Sequence, residues 1–224
     1  MFTGLYTLHN LLCSNPSNYG PANTISFPEL KDHCSHVAPI TNDEFITRQT
    51  SLAQTLHSLN ASAYIAEPGA NSQFFANISS ASWHLSERPL LLIISPDAQA
   101  DGSIKPRVSV LTPAFEETRA KLLPIPADRV EWVSWAEESN PYKSAVSVIP
   151  SLKDTKGDII VDGNIRNFIV DGLTEAAYGA KVRSAPTEIK QLRERKSPAE
   201  IALLKCVNEV CFNLKSTTAP LKLI

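Results

Sequence analysis

The sequence predicts an α/β layer fold: a single mixed β-sheet flanked by helices, with a connector helix on its carboxyl side. Three observations carry this. Apolar runs of strand length alternate with helix-patterned segments between Thr41 and Ser184. Leu90-Leu91-Leu92-Ile93-Ile94 is continuously apolar, as a strand covered on both faces must be. Ser197-Pro198-Ala199-Glu200 then opens a further helix, with a serine cap, a proline at the first helical position and a glutamate three residues after the cap.

Residues 1–40 read as an irregular arm, broken by Asn15-Pro16, Gly20-Pro21 and Phe27-Pro28. Thr41-Asn42-Asp43-Glu44 starts a helix whose stripe is Phe45, Leu52, Leu56 and Leu59. Ala63–Ala66 is a short strand stopped by Pro68-Gly69, and Ala70–Asn77 a short helix. Pro89–Ser95 is the central strand, Asp101-Gly102 a turn, and Arg107–Leu111 a strand. Helices follow at Pro113–Leu122, Pro141–Ile149, Ile165–Tyr178 and Thr187–Arg195. Strands lie between them at Val130–Val133, Asp158–Val161 and Lys181–Ser184.

The net charge of −2 gives no reason to expect nucleic acid as a partner. No apolar run approaches the roughly 20 residues of a membrane span. Met1–Cys13 is mildly apolar but has no basic start, which favours the cytoplasm. The sequons at Asn60 and Asn77 matter only on the secretory route, so compartment stays open. Cys13, Cys34, Cys206 and Cys211 are scattered, and their pairing is not legible.

No glycine spacing fits a nucleotide fingerprint; Gly157 and Gly163 come nearest. Asp32-His33-Cys34-Ser35-His36 gathers metal-type ligands, but without a recognised zinc spacing it reads as a polar loop. Asp158, Asp162 and Asp171 invite a carboxylate-site reading, since Asp162-Gly163 follows a strand where α/β ligand sites form; the favoured reading is a strand-ending turn, with Asn164 expected to cap the next helix. Trp83, Trp132 and Trp135 read as core or interface residues.

The run Leu192–Val210 resembles the connection into the catalytic domain of the pita-bread metallopeptidases: Xaa-Pro aminopeptidases, prolidases and creatinase. There a Lys-Ser-Pro-x-Glu-Ile run opens the first catalytic helix, here Lys196, Ser197, Pro198, Glu200 and Ile201. Thr41-x-x-Glu44-x3-Arg48, Ala63-Tyr64-Ile65 and Glu87-Arg88-Pro89 are further matches to the family's N-terminal domain. The resemblance implies four segments: an arm at 1–40, a creatinase/prolidase-type α/β domain at 41–184, connector helices at 185–210 and an aberrant tail at 211–224. In the connector, Ile201, Leu204 and Val207 form the apolar stripe expected to stand exposed.

The family holds two divalent metals, commonly manganese, on carboxylates and a histidine downstream of this helix. The sequence stops before those ligands, which implies no cofactor and no activity in this chain. It also implies a truncated product, with peptide substrate only in a full-length relative. As partners the resemblance implies a homo-oligomer or pairing with a full-length homologue. Phe74–Ser82 stands where aminopeptidase-P-like members carry Trp-Leu-Leu-Asn-x-Arg-Gly-x-Asp. Asn77 matches, while Ser79 and Ser82 replace the Arg and Asp. Phe74, Phe75, Asn77 and Trp83 are therefore the candidate surface near an active-site mouth or subunit contact.

Overall fold

The computed structural model describes residues 32–150, 152, 157–177 and 179–217, the last five by backbone alone. The expectations for most of the N-terminal arm, Cys13, and the tail beyond Thr217 lie outside these residues. The chain divides into two compact units, Thr41–Arg195 and one formed by the segments on either side of it.

The unit Thr41–Arg195 runs α1 (Asn42–Ser58), β1 (Ala61–Ala66), α2 (Ala70–Ala76), β2 (Leu91–Ala98), β3 (Ile104–Pro113), a 3-10 turn (Ala114–Glu116), α3 (Glu117–Ala120), β4 (Val130–Trp135), α4 (Pro141–Ser147), β5 (Asp158–Val161), α5 (Asn167–Ala176), β6 (Val182–Ser184) and α6 (Thr187–Glu194). The strands form one sheet in the order β4-β3-β2-β1-β5-β6. The mixed character comes from β2, which is antiparallel to both neighbours; the other pairings are parallel.

Strand period separates the two cores. Tyr64, Ala66, Leu92 and Ile94 point to one face, against Leu52 and Leu56 of α1, Phe75 of α2 and Ile189 of α6. Ala63, Ile65, Leu91 and Ile93 point to the other, against Val146 of α4 and Ile169 and Leu173 of α5. Helices on both faces are the reason the central run is apolar without interruption.

Two elements depart from the sequence pattern. β2 continues past Pro96 to Ala98, because Pro96 pairs opposite Pro106 in a hairpin closed at Asp101-Gly102, with Gly102 at φ 82°. Its last residues are largely exposed, where a proline costs the sheet little. The helix expected over Pro113–Leu122 is a 3-10 turn followed by a single α-helical turn. Phe115 and Leu122 are exposed, so no apolar stripe anchors a longer helix.

The second unit holds a turn at residues 32–37 and the helix α7 (Pro198–Thr217). Among the described residues no helix is long and apolar enough to cross a membrane.

Candidate functional site

The segment after α2 folds inward. Phe74, Phe75 and Trp83 are buried, each under one tenth exposed. For Phe74 and Phe75 this corrects the expected place on a surface, while Trp83 meets its reading as a core residue: Phe75 stacks edge-on against Tyr64 and Phe74, and Trp83 joins the same core. Asn77 ends α2 in the left-handed conformation at φ 57°, which Asn tolerates, and its side-chain amide donates to the Pro124 carbonyl at 3.2 Å. That bond engages the sequon nitrogen. Ser79 and Ser82, at the divergent motif positions, bond each other's hydroxyl and backbone. What the segment presents to solvent is Ser80, Ala81, Ser82, His84 and Leu85.

Two side chains of α1 hold this segment. Arg48 donates to the Phe74 carbonyl at 3.1 Å, lies 4.1 Å from the centre of the Phe74 ring and pairs with Glu44. Gln49 is buried and donates to the carbonyls of Phe75 at 2.9 Å and Pro126 at 2.7 Å.

Carboxyl ends of parallel strands are where α/β ligand sites form. Here the ends of β1 and β5 carry two polar clusters. Glu67, directly after β1, is buried and accepts from the Arg166 guanidinium at 2.9 Å and the Arg166 backbone N–H at 3.1 Å. Asp162, after β5, accepts from Asn71 at 2.7 Å and from the Asn164 backbone N–H at 3.1 Å. Arg193 of α6 donates to the Asn71 side chain at 3.4 Å. Burial raises the Tyr64 phenol well above its ordinary value, with the Asp162 charge adding to the shift and Arg193 opposing it.

The three aspartates do not converge. Asp158 begins β5 and pairs with Arg183 at 2.6 Å, Asp162 follows the same strand, and Asp171 is exposed on α5. Strand rise alone puts Asp158 about 13 Å from Asp162. The cap of α5 is Arg166 rather than Asn164. Glu67, from another strand, supplies the negative charge at that helix start, and nothing local to residues 162–167 announces it.

In the second unit, Ser197 caps α7 as the sequence predicts. Its hydroxyl accepts from the Glu200 backbone N–H at 3.1 Å, and the Glu200 carboxylate accepts from the Ser197 N–H at 3.1 Å. Pro198 opens the helix and Lys196 precedes it, exposed. Ile201 and Leu204 are 42% and 45% exposed, and Val207 is half-buried. Cys34 and Cys206 form a disulfide, so Cys34 as it stands is no nucleophile. His33 lies 3.1 Å from Glu209, while His36 is exposed in the same turn.

No family model matches the chain. Over 170 residues it is 36% identical to an uncharacterized peptidase of Schizosaccharomyces pombe, covering 75% of this chain and 36% of that protein. The solved dipeptidase PepE from Mycobacterium ulcerans superimposes with a TM-score of 0.56 at 16% identity, covering 73% of this chain and 40% of its own. The prolidase from Thermococcus sibiricus does so with 0.51 at 17%, over the same shares. The fold is that of the creatinase/prolidase N-terminal domain. The chain spans about two fifths of the length of these proteins.

In this creatinase/prolidase-type unit the carboxylates at the strand ends are each taken up by hydrogen-bond donors of the unit itself. Glu67 accepts from donors on Arg166, and Asp162 from donors on Asn71 and Asn164. The Tyr64 phenol is held neutral. A general base needs a free carboxylate within reach of a substrate proton, and neither cluster offers one. The arrangement ties loops to the sheet.

Proposed function

We propose that this chain acts as the non-catalytic N-terminal domain of a Xaa-Pro-type metal-dependent peptidase, where it shapes substrate access and oligomer contacts. The identity of 36% to the S. pombe peptidase, over about a third of that protein, carries the reading. In it, 41–184 is the α/β domain and 185–210 the connector. Ile201, Leu204 and Val207 then supply the apolar stripe that a catalytic domain covers, and the solvent-facing residues around Asn77 lie by a substrate mouth or subunit contact. The paired divalent metals, commonly manganese in such enzymes, belong to the catalytic domain; the self-satisfied carboxylates of this unit fit that division.

Deleting from the T. sibiricus prolidase the part matched by this chain tests the role. The expected remainder keeps its metal binding but loses its oligomeric state or its selectivity for proline at the second position. Loss of the metal with the deleted part would overturn the proposal. A second reading, a module pairing with a full-length homologue, draws on the exposed Ile201, Leu204 and Phe212 of α7. Co-purification of this chain with such a homologue, abolished by Ile201→Asp and Leu204→Asp, is its expected signature.

A further inference from the structure

Four side chains with metal-ligand chemistry meet in the second compact unit, remote in chemistry from the oxygen-rich manganese site proposed above. His33 and Cys34 are adjacent in the turn, and Cys206 and Glu209 sit three apart on α7, a spacing that places them on one helix face. His33 Nε2 is 3.1 Å from Glu209 Oε2. One ligand atom each from His33, Cys206 and Glu209 all lie within 4.8 Å of one another. The fourth donor, the Cys34 sulfur, is bonded to that of Cys206.

We propose that this disulfide is the oxidised form of a four-ligand zinc site made by Cys34, Cys206, His33 and Glu209. In the oxidised form both sulfurs are committed to each other and neither is a thiolate. A dithiol reductant gives two electrons and two protons, breaks the S–S bond and leaves two thiols, itself becoming a disulfide. Zinc then displaces both thiol protons, binding two thiolates, a neutral imidazole nitrogen and a carboxylate oxygen.

The dimensions suit that ion. Zinc bonds of about 2.0–2.3 Å set tetrahedral edges of roughly 3.3–3.8 Å between donors. The His33–Glu209 separation is already near that edge, and no separation among the three exceeds its upper value by more than about 1 Å. Glu209 is an exposed side chain on a helix surface, able to close that distance by a rotamer change. Thiolate and imidazole donors select zinc over manganese, magnesium and calcium, which favour oxygen. Oxidation thus holds the turn to α7 by a covalent bond, and reduction replaces that bond with a metal.

The test uses the full chain carrying Cys13→Ser and Cys211→Ser, so that Cys34 and Cys206 are the thiols present. Zinc is titrated into phosphine-reduced and oxidised protein against a chromogenic chelator, and cobalt is used to read thiolate charge-transfer absorption. The reduced chain is expected to bind one equivalent of zinc and show the cobalt–thiolate band, and the oxidised chain to bind none. His33→Ala and Glu209→Gln, exposed enough to leave the fold intact by circular dichroism, are each expected to weaken binding at least about tenfold. Reduced protein that binds no stoichiometric zinc, or binding unchanged in both of those variants, would overturn the proposal.

Discussion

The carboxylate of Glu67 accepts both the guanidinium and the backbone N–H of Arg166, joining the end of β1 to the start of α5 across 99 residues of sequence. Glu67 is buried and Arg166 is about one third exposed, so water screens part of the pair. A fully buried pair broken on one side costs about 3–5 kcal/mol. Allowing for the exposure, Glu67→Ala is expected to cost about 2 kcal/mol in urea unfolding. Glu67→Gln, which keeps an acceptor for the backbone N–H, is expected to cost less. Equal stability of all three proteins would contradict the assignment.

Gln49 is expected to be among the least replaceable polar residues of the unit. Gln49→Leu keeps the size but leaves the Phe75 and Pro126 carbonyls without their donor, at a cost of about 2–3 kcal/mol. The measurement is the urea midpoint; a loss under about 0.5 kcal/mol, typical of a surface site, would refute it.

Tyr64 gives the chain a specific alkaline limit. Its phenol is raised above the ordinary value of 10.0 in the folded state. The folded protein therefore holds this proton more tightly than the unfolded one. The stabilisation is complete below the unfolded pKa and is lost as pH rises above it toward the folded value. Tyr64→Phe is expected to flatten the fall in unfolding free energy above about pH 10, measured by urea titration at several pH values. An identical alkaline fall in both proteins would rule it out.

Gly172, inside α5, separates two opposing effects. Helix propensity alone predicts that Gly172→Ala stabilises by about 1 kcal/mol. An added methyl, however, would run into the ring of Tyr142, which comes from α4. Overpacking costs about 1–3 kcal/mol, so a net destabilisation is expected, relieved by adding Tyr142→Ala. Thermal unfolding of the single and double variants reads this directly. A rise in Tm for the single variant would show that the Tyr142 ring simply moves aside.

Much of this fold is legible in the sequence because its signals are local. The apolar run Leu90–Ile94, the Asp101-Gly102 turn and the Ser197–Glu200 cap each depend on neighbours in the chain. The burial of Phe74 and Phe75 is not legible because aromatic residues at the end of a short helix look alike in sequence whether they line a mouth or fill a core. Arg48 and Gln49 of α1 hold the Phe74 and Phe75 carbonyls, contacts made 26 residues away in the chain. The Glu67–Arg166 and Asn71–Asp162–Arg193 clusters join residues 99, 91 and 122 positions apart, and no periodicity reports such separations. The Cys34–Cys206 bond, spanning 172 residues, is hidden for the same reason.

The role proposed for this chain is architecture, and not chemistry, within a peptidase. The most direct measurement is an assay of the purified chain on Xaa-Pro peptides with added manganese. No turnover above the protein-free control is predicted. Clear manganese-dependent hydrolysis, abolished by a chelator and co-purifying with the chain, would contradict the account.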